Sequence, residues 1–299
     1  MRLWRQQVPS RYDVRRIESI FSSASYQTCP SMLAALPINR ALLNHLQSYR
    51  LRRVGGKRNR MAKHALLSNV EHKGLRIITT RSAAYGDNQM FALTVPAEFR
   101  SVQACYPIVF QKRPDNGQFQ ALALFGFEAD ENLFLTENGW DATYVPISVE
   151  RLPFLIGGAN PAQPGQAPQP VVHIDLDSPR VSRTEGEPLF LEYGGSTPYL
   201  ERVSSLLGAL HSGLAAMQAF VEALTAHDLL ESFVVDIELK DGSQNRLAGF
   251  YTVNEEKARK LDGAAVAKLH EKGILEPMYM VIASTVHFRD LIERRNRRK

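Results

Sequence analysis

Cysteine is nearly absent: the 299 residues contain only Cys29 and Cys105. One thiol beyond residue 60 cannot build a disulfide framework or a cysteine-based zinc site there. Cys105, between Ala104 and Tyr106, reads as a small buried apolar residue rather than a nucleophile. No run of 18 apolar residues occurs, so no membrane span is expected. An export signal is also missing, because Asp13, Arg15, Arg16 and Glu18 stand where an apolar stretch would have to follow the first basic residues. Nor is there a Gly-x-Gly-x-x-Gly fingerprint, a P-loop, a His-Glu-x-x-His helix or a Gly-x-Ser-x-Gly elbow.

Acidic residues are scarce at the start of the chain. Met1–Arg60 carries 12 Lys/Arg against 2 Asp/Glu, whereas the remainder carries 24 against 29. The overall charge of +5 therefore describes neither part, and residues 61–299 are not expected to bind nucleic acid. The run Val54-Gly-Gly-Lys-Arg-Asn-Arg60 has nothing to pack, and Met61 follows at the break in charge. Residues 1–60 are accordingly expected to be a basic leader or sequence upstream of the true start. Ala34–Leu51 is their best helix, and residues 61–299 form the domain. A Pro/Gln/Gly-rich stretch near 159–170 divides that domain into two lobes.

Periodicity within 61–299 predicts an α+β fold, mainly antiparallel. Strands are expected over Gly74–Thr80, Met90–Val95, Pro107–Gln111 and Phe119–Phe127, the last two joined as a hairpin through Asn116-Gly117. Val171–Leu176 continues the strand pattern. Phe233–Leu239 and Leu247–Val253 form a second hairpin around Asp241-Gly242, and Met278–Ala283 reads as a final strand. Thr197 and Pro198 open one long amphipathic helix, with Tyr199, Val203, Leu206/Leu207, Leu210, Leu214, Met217, Val221 and Leu224 on one face. That face can pack on the sheet or pair with a second copy, and sheet packing needs no partner. Asn254 and Asp262 cap two short helices, and a last helix from Val286 ends in Arg294-Arg-Asn-Arg-Arg-Lys299, whose cations suit a helix C-terminus.

The metal-like feature is His173-Ile174-Asp175. Residues i and i+2 of a strand share a face, so this imidazole and carboxylate supply two legs of an Fe(II) facial triad. His287 and His211 are candidates for the second histidine. Ser196, before the long helix, is already explained by the cap at Thr197. Trp140, Tyr144 and Tyr199 are candidates for a binding surface, with packing over the sheet as the structural alternative.

Several segments in a shared order resemble the bacterial SapC family. They include Asn69-Val-Glu-His72, Tyr106-Pro-Ile-Val-Phe110, Glu131-Asn-Leu-Phe-Leu135, Glu137-Asn-Gly-Trp-Asp141, Pro153-Phe-Leu-Ile-Gly157, Asp175-Leu-Asp-Ser-Pro-Arg180, Thr197-Pro-Tyr-Leu200 and Gly249-Phe-Tyr-Thr-Val253. The resemblance runs from about residue 64 to about residue 298. It implies a start close to Met61 and a surface-layer association by family name, distinct from the like-named peptide-transporter permease. It supplies no catalytic residue. The expectation is a cytoplasmic accessory protein that binds a protein or a small ligand, with no cofactor and with a homodimer as one candidate assembly. The alternatives are an Fe(II)-dependent oxygenase using His173 and Asp175, and a surface-associated component.

Overall fold

Two hairpins set the largest sheet. In the computed structural model, which describes residues 63–158 and 170–298 apart from 241 and 243, every strand pair is antiparallel. The helix expected over Ala34–Leu51, the break at Met61, most of the 159–170 divide and Asp241 lie outside the described residues. All described residues belong to one compact unit, Arg58–Lys299.

The chain begins with β1 (His64–Leu66) and β2 (Arg76–Ile77), then β3 (Phe91–Thr94) and the short α1 (Phe99–Val102). β4 (Ile108–Lys112) and β5 (Phe119–Leu124) form the first hairpin, with Gly117 at φ +68° in the turn. β6 (Leu135–Thr136) and β7 (Gly139–Trp140) make a two-residue ladder, followed by α2 (Ile147–Glu150), β8 (Phe154–Gly158), β9 (Pro170–Asp175), β10 (Val181–Ser182) and β11 (Glu187–Pro188). Next come α3 (Pro198–Ala226), β12 (Leu230–Glu238) and β13 (Gln244–Val253). Four helices close the chain: α4 (Glu255–Arg259), α5 (Gly263–Glu271), α6 (Leu275–Ser284) and α7 (His287–Arg297).

The main sheet has the order β12-β13-β4-β5-β3, and two three-stranded sheets have the orders β1-β9-β8 and β10-β2-β11. Ile108, Val109 and Phe110 are all buried, as are Ala121–Leu124. Successive side chains of a strand point to opposite faces, so both faces of β4 and β5 are covered. Met278–Ala283, expected as a strand, lies instead within α6. Its buried residues are Met278, Val281 and Ser284, with Ile274 buried just before its start, a helical spacing that the β-branched pair Val281-Ile282 disguises. Pro277 sits in the first turn, where a missing N–H costs nothing. Ser284 Oγ then accepts from Ile108 N at 2.9 Å, which fixes α6 against β4.

α3 runs along three apolar clusters. Leu200, Val203 and Leu207 pack with Phe154, Ile174, Ile77 and Leu189; Leu210 packs with Val95 and Ile147; Met217, Phe220 and Leu224 enter the main core. Thr197 caps its start by accepting from Leu200 N. The buried face takes in Gly213 and Phe220, while Leu214, expected to face inward, is 44 % exposed. The reason is contact distance: a Cβ at Gly213 would lie 2.6 Å from Val95 Cγ2, so the helix approaches Val95 where it has no side chain.

One polar centre is buried among these elements. Asp87, with no exposed surface, receives both 2.6 Å bonds of Arg180 Nη2, together with Ser82 N at 2.8 Å and Arg81 Nη1 at 3.3 Å. Arg180 Nη1 also donates to the carbonyls of Ile78 and Thr80, and its guanidinium lies over the Tyr85 ring. Burial lowers the Arg81 pKa, neighbouring Arg180 lowers it further, and Asp87 opposes both. Removing one partner from a buried pair of this kind costs about 3–5 kcal/mol.

The two α3 glycines separate helix propensity from packing. A Cβ at Gly208 meets nothing within 4 Å, so Gly208→Ala should stabilise the fold by about 0.5–1 kcal/mol in denaturant unfolding. Gly213→Ala should destabilise it by about 1–3 kcal/mol, because the new methyl group runs into Val95.

Candidate functional site

The main-core aromatics create a rigid floor. Tyr106, fully buried, meets Phe125 and Phe134 edge-on at centroid distances of 5.1 and 4.7 Å. Its hydroxyl donates to the Tyr144 carbonyl and accepts from Trp140 Nε1 at 2.7 Å. Burial holds the Tyr106 hydroxyl protonated far above the usual tyrosine range. Trp140 is brought there by the β6–β7 ladder, in which Thr136 Oγ1 donates to the Gly139 carbonyl and Gly139 has φ +105°. It also packs edge-on against Phe125 at 5.1 Å.

Above this floor is an open cleft of about 510 Å³, lined among others by Cys105, Trp140, Asp141, Thr143, His287 and Arg294. A smaller recess of about 360 Å³ adjoins it and shares Trp140 and Asp141. The polar groups of the cleft are paired with neighbours. Arg294 donates to Asp141 Oδ2 at 2.6 Å and to the Asp141 carbonyl at 3.2 Å, with its guanidinium 4.3 Å from the Phe134 ring centroid. Cys105 Sγ lies 3.2 Å from Thr143 Oγ1. His287 Nε2 is 2.8 Å from the Gln103 carbonyl, which can only accept, so that nitrogen carries a proton. Its Nδ1 is 2.6 Å from Asp290 Oδ2, an ion pair only when the ring holds both protons. The thiol and the imidazole thus line one cleft, but each bonds to a different neighbour.

The residues singled out in the sequence divide between two regions. Trp140 and His287 line this cleft, whereas His173 and Asp175 lie on β9, the central strand of a different sheet. His173 and Asp175 share a face, and the register places His64 opposite Asp175. The His173 ring, however, lies over Gly157, where a Cβ would fall 2.5 Å from Nε2, and Asp175 Oδ1 accepts from Asp177 N at 3.1 Å. His211 is exposed on α3. Among the described residues, no group of three or more His, Cys, Asp or Glu side chains could hold a metal ion.

Trp140, Tyr144 and Tyr199 are each half-buried and do not form one patch. Trp140 and Tyr144 pack on the main core, and Tyr199 packs on the second core beside Phe154. Burial pushes the Tyr199 hydroxyl up to about 12. The Tyr144 hydroxyl donates to Glu98 Oε2 at 2.8 Å and is raised well above its usual range, first by burial and then by that carboxylate. Glu98, only 3 % exposed, also accepts from Ile147 N and Thr94 Oγ1. Burial nevertheless raises its pKa, outweighing these three bonds.

Asp141, Thr143 and Arg294 escaped the sequence reading. One signal pointed to them: the acidic stretch containing Glu128, Glu131 and Asp141 complements the C-terminal arginines. Arg295 pairs with Glu128 at 2.9 Å and with Glu131, and Arg298 donates to the Leu135 carbonyl.

Tyr106→Phe removes the hydroxyl that Trp140 Nε1 and the Tyr144 carbonyl both use. It should cost about 1–3 kcal/mol in denaturant unfolding and alter the Trp140 emission spectrum. Glu98 gives a pH test. With its folded pKa raised, its contribution is present in full below the ordinary value of 4.5 and is lost as pH rises through the raised value. The stability of the natural protein relative to Glu98→Gln should therefore fall with rising pH in urea titrations, and a pH-independent difference would refute the raised pKa.

The SapC family model matches residues 67–291, about three-quarters of the chain. No curated protein and no solved structure gives a match. The order of segments from Asn69 to Val253 and the matched span lead to one assignment: the chain belongs to the SapC family.

Proposed function

We propose that this SapC-family protein is a non-catalytic accessory protein that holds a ligand or a segment of a partner in the cleft between the β6–β7 ladder and α7. The observation that carries this reading is the pairing inside the cleft. Thr143 engages Cys105, Asp290 and the Gln103 carbonyl engage His287, and Asp141 engages Arg294. A nucleophile activated by a base would need a direct bond between the two, and neither Cys105 nor His287 has the other as its partner. A recess that combines an indole, an aromatic floor and a few fixed polar groups suits recognition.

Chemical-shift mapping checks the reading. With a mixture of small aromatic carboxylates and amides as probes, the shifts should concentrate on Trp140, Thr143 and Arg294. Shifts confined to other surfaces would overturn the choice of site. Consumption of a probe by the protein, lost in a Cys105→Ser or His287→Gln variant, would overturn the non-catalytic part.

A further inference from the structure

The two walls of the cleft are held together differently along their length. The first half of α7 is anchored by apolar packing: Leu291 is fully buried, and Phe288 and Ile292 pack on the main core. Beyond Ile292 the contacts to segment 128–141 are made by cations. Arg294 grips Asp141, Arg295 grips Glu128 and Glu131, and Arg298 donates to the Leu135 carbonyl. Arg297 has only a 3.8 Å approach to Glu293 on its own helix.

We infer that the C-terminal half of α7 is a releasable electrostatic clasp, which regulates access to the cleft by gripping and letting go of segment 128–141. This rests on the reading of the cleft as a docking site. Water and salt reach two of the pairs, since the Asp141 and Glu128 side chains are 61 % and 52 % exposed, and exposed pairs of this kind hold weakly. The Arg295–Glu131 pair, whose carboxylate is only 9 % exposed, is the innermost hold and the last to be screened. The arginines are also crowded: burial lowers the Arg298 pKa, Glu131 opposes that, and Arg294 and Arg295 each lower it further. Salt screens this repulsion together with the attraction, so release at high salt follows from the weakening of the exposed Asp141 and Glu128 pairs. Leu291 and the bond from His287 to the Gln103 carbonyl keep the first half in place, so the end, which is tied also by the bond from Lys240 N to Asn296 Oδ1 at 2.9 Å, turns away from Trp140 while the base stays docked.

The full chain contains only Trp4 and Trp140, so a Trp4→Phe variant makes Trp140 the sole reporter. Acrylamide, a neutral quencher, measures its exposure. The quenching constant should rise about twofold between about 0.05 M and about 1 M NaCl, over which the screening length shrinks to about 3 Å. Asp141→Asn should already be raised at the lower salt. Amide exchange in the second half of α7 should quicken by about tenfold at high salt while α3 does not change. Quenching that ignores both salt and Asp141→Asn would overturn the clasp, as would exchange rising equally in α3. Neither result depends on added ligand, so failure of the clasp is distinguishable from failure of the binding site.

Discussion

The buried pair between Asp87 and Arg180 is the constraint on which the rest of the fold depends, because it ties the segment between β2 and β3 to the segment between β9 and β10. An ion pair removed from water survives only if its remaining donors and acceptors are also satisfied. Here Ser82 N and Arg81 complete the carboxylate, and the carbonyls of Ile78 and Thr80 take Arg180 Nη1, which leaves the buried Nε as the one guanidinium nitrogen without a partner among the described residues. The pair fixes the segment between β2 and β3, and its influence extends beyond the two side chains. The Asp87 carbonyl accepts from Asn132 Nδ2, and Asn132 Oδ1 accepts from Phe134 N. A continuous polar chain therefore leads from the sheet containing β10 to the aromatic floor of the cleft.

That floor explains why the cleft is a defined surface rather than a loop gap. Tyr106 satisfies Trp140 and Tyr144 with one hydroxyl, and Phe125 and Phe134 meet it and each other edge-on. The opposite wall, α7, has no comparable depth of packing, because Leu291 is its one buried residue. The cleft is thus packed on one side by buried aromatics and held on the other largely by charge.

Much of this architecture was legible in the chain. Turn residues and alternation marked both hairpins of the main sheet, and Thr197 and Pro198 marked the start of α3. What escaped was information that exists only in contacts. Gly213 faces inward because Val95 occupies the space a side chain would need, which helical periodicity does not reveal. α6 read as a strand because its β-branched residues masked a helical spacing. The cleft was half visible: Trp140 and His287 stood out by residue type, whereas Asp141, Thr143 and Arg294 became site residues through pairings that span up to 153 positions. The long-range partner of Asp87 could not be read from local sequence at all.

The pairing of the small sheets also has a consequence for how the protein is made. Among the described residues, β1 pairs only with β9, His64 lying opposite Asp175, and β2 pairs only with β10 and β11. Both N-terminal strands leave the ribosome more than a hundred residues ahead of their partners. The β4–β5 hairpin forms from neighbouring residues in the meantime. During synthesis the early strands must therefore wait with open edges, and the second core assembles after part of the first has been laid down.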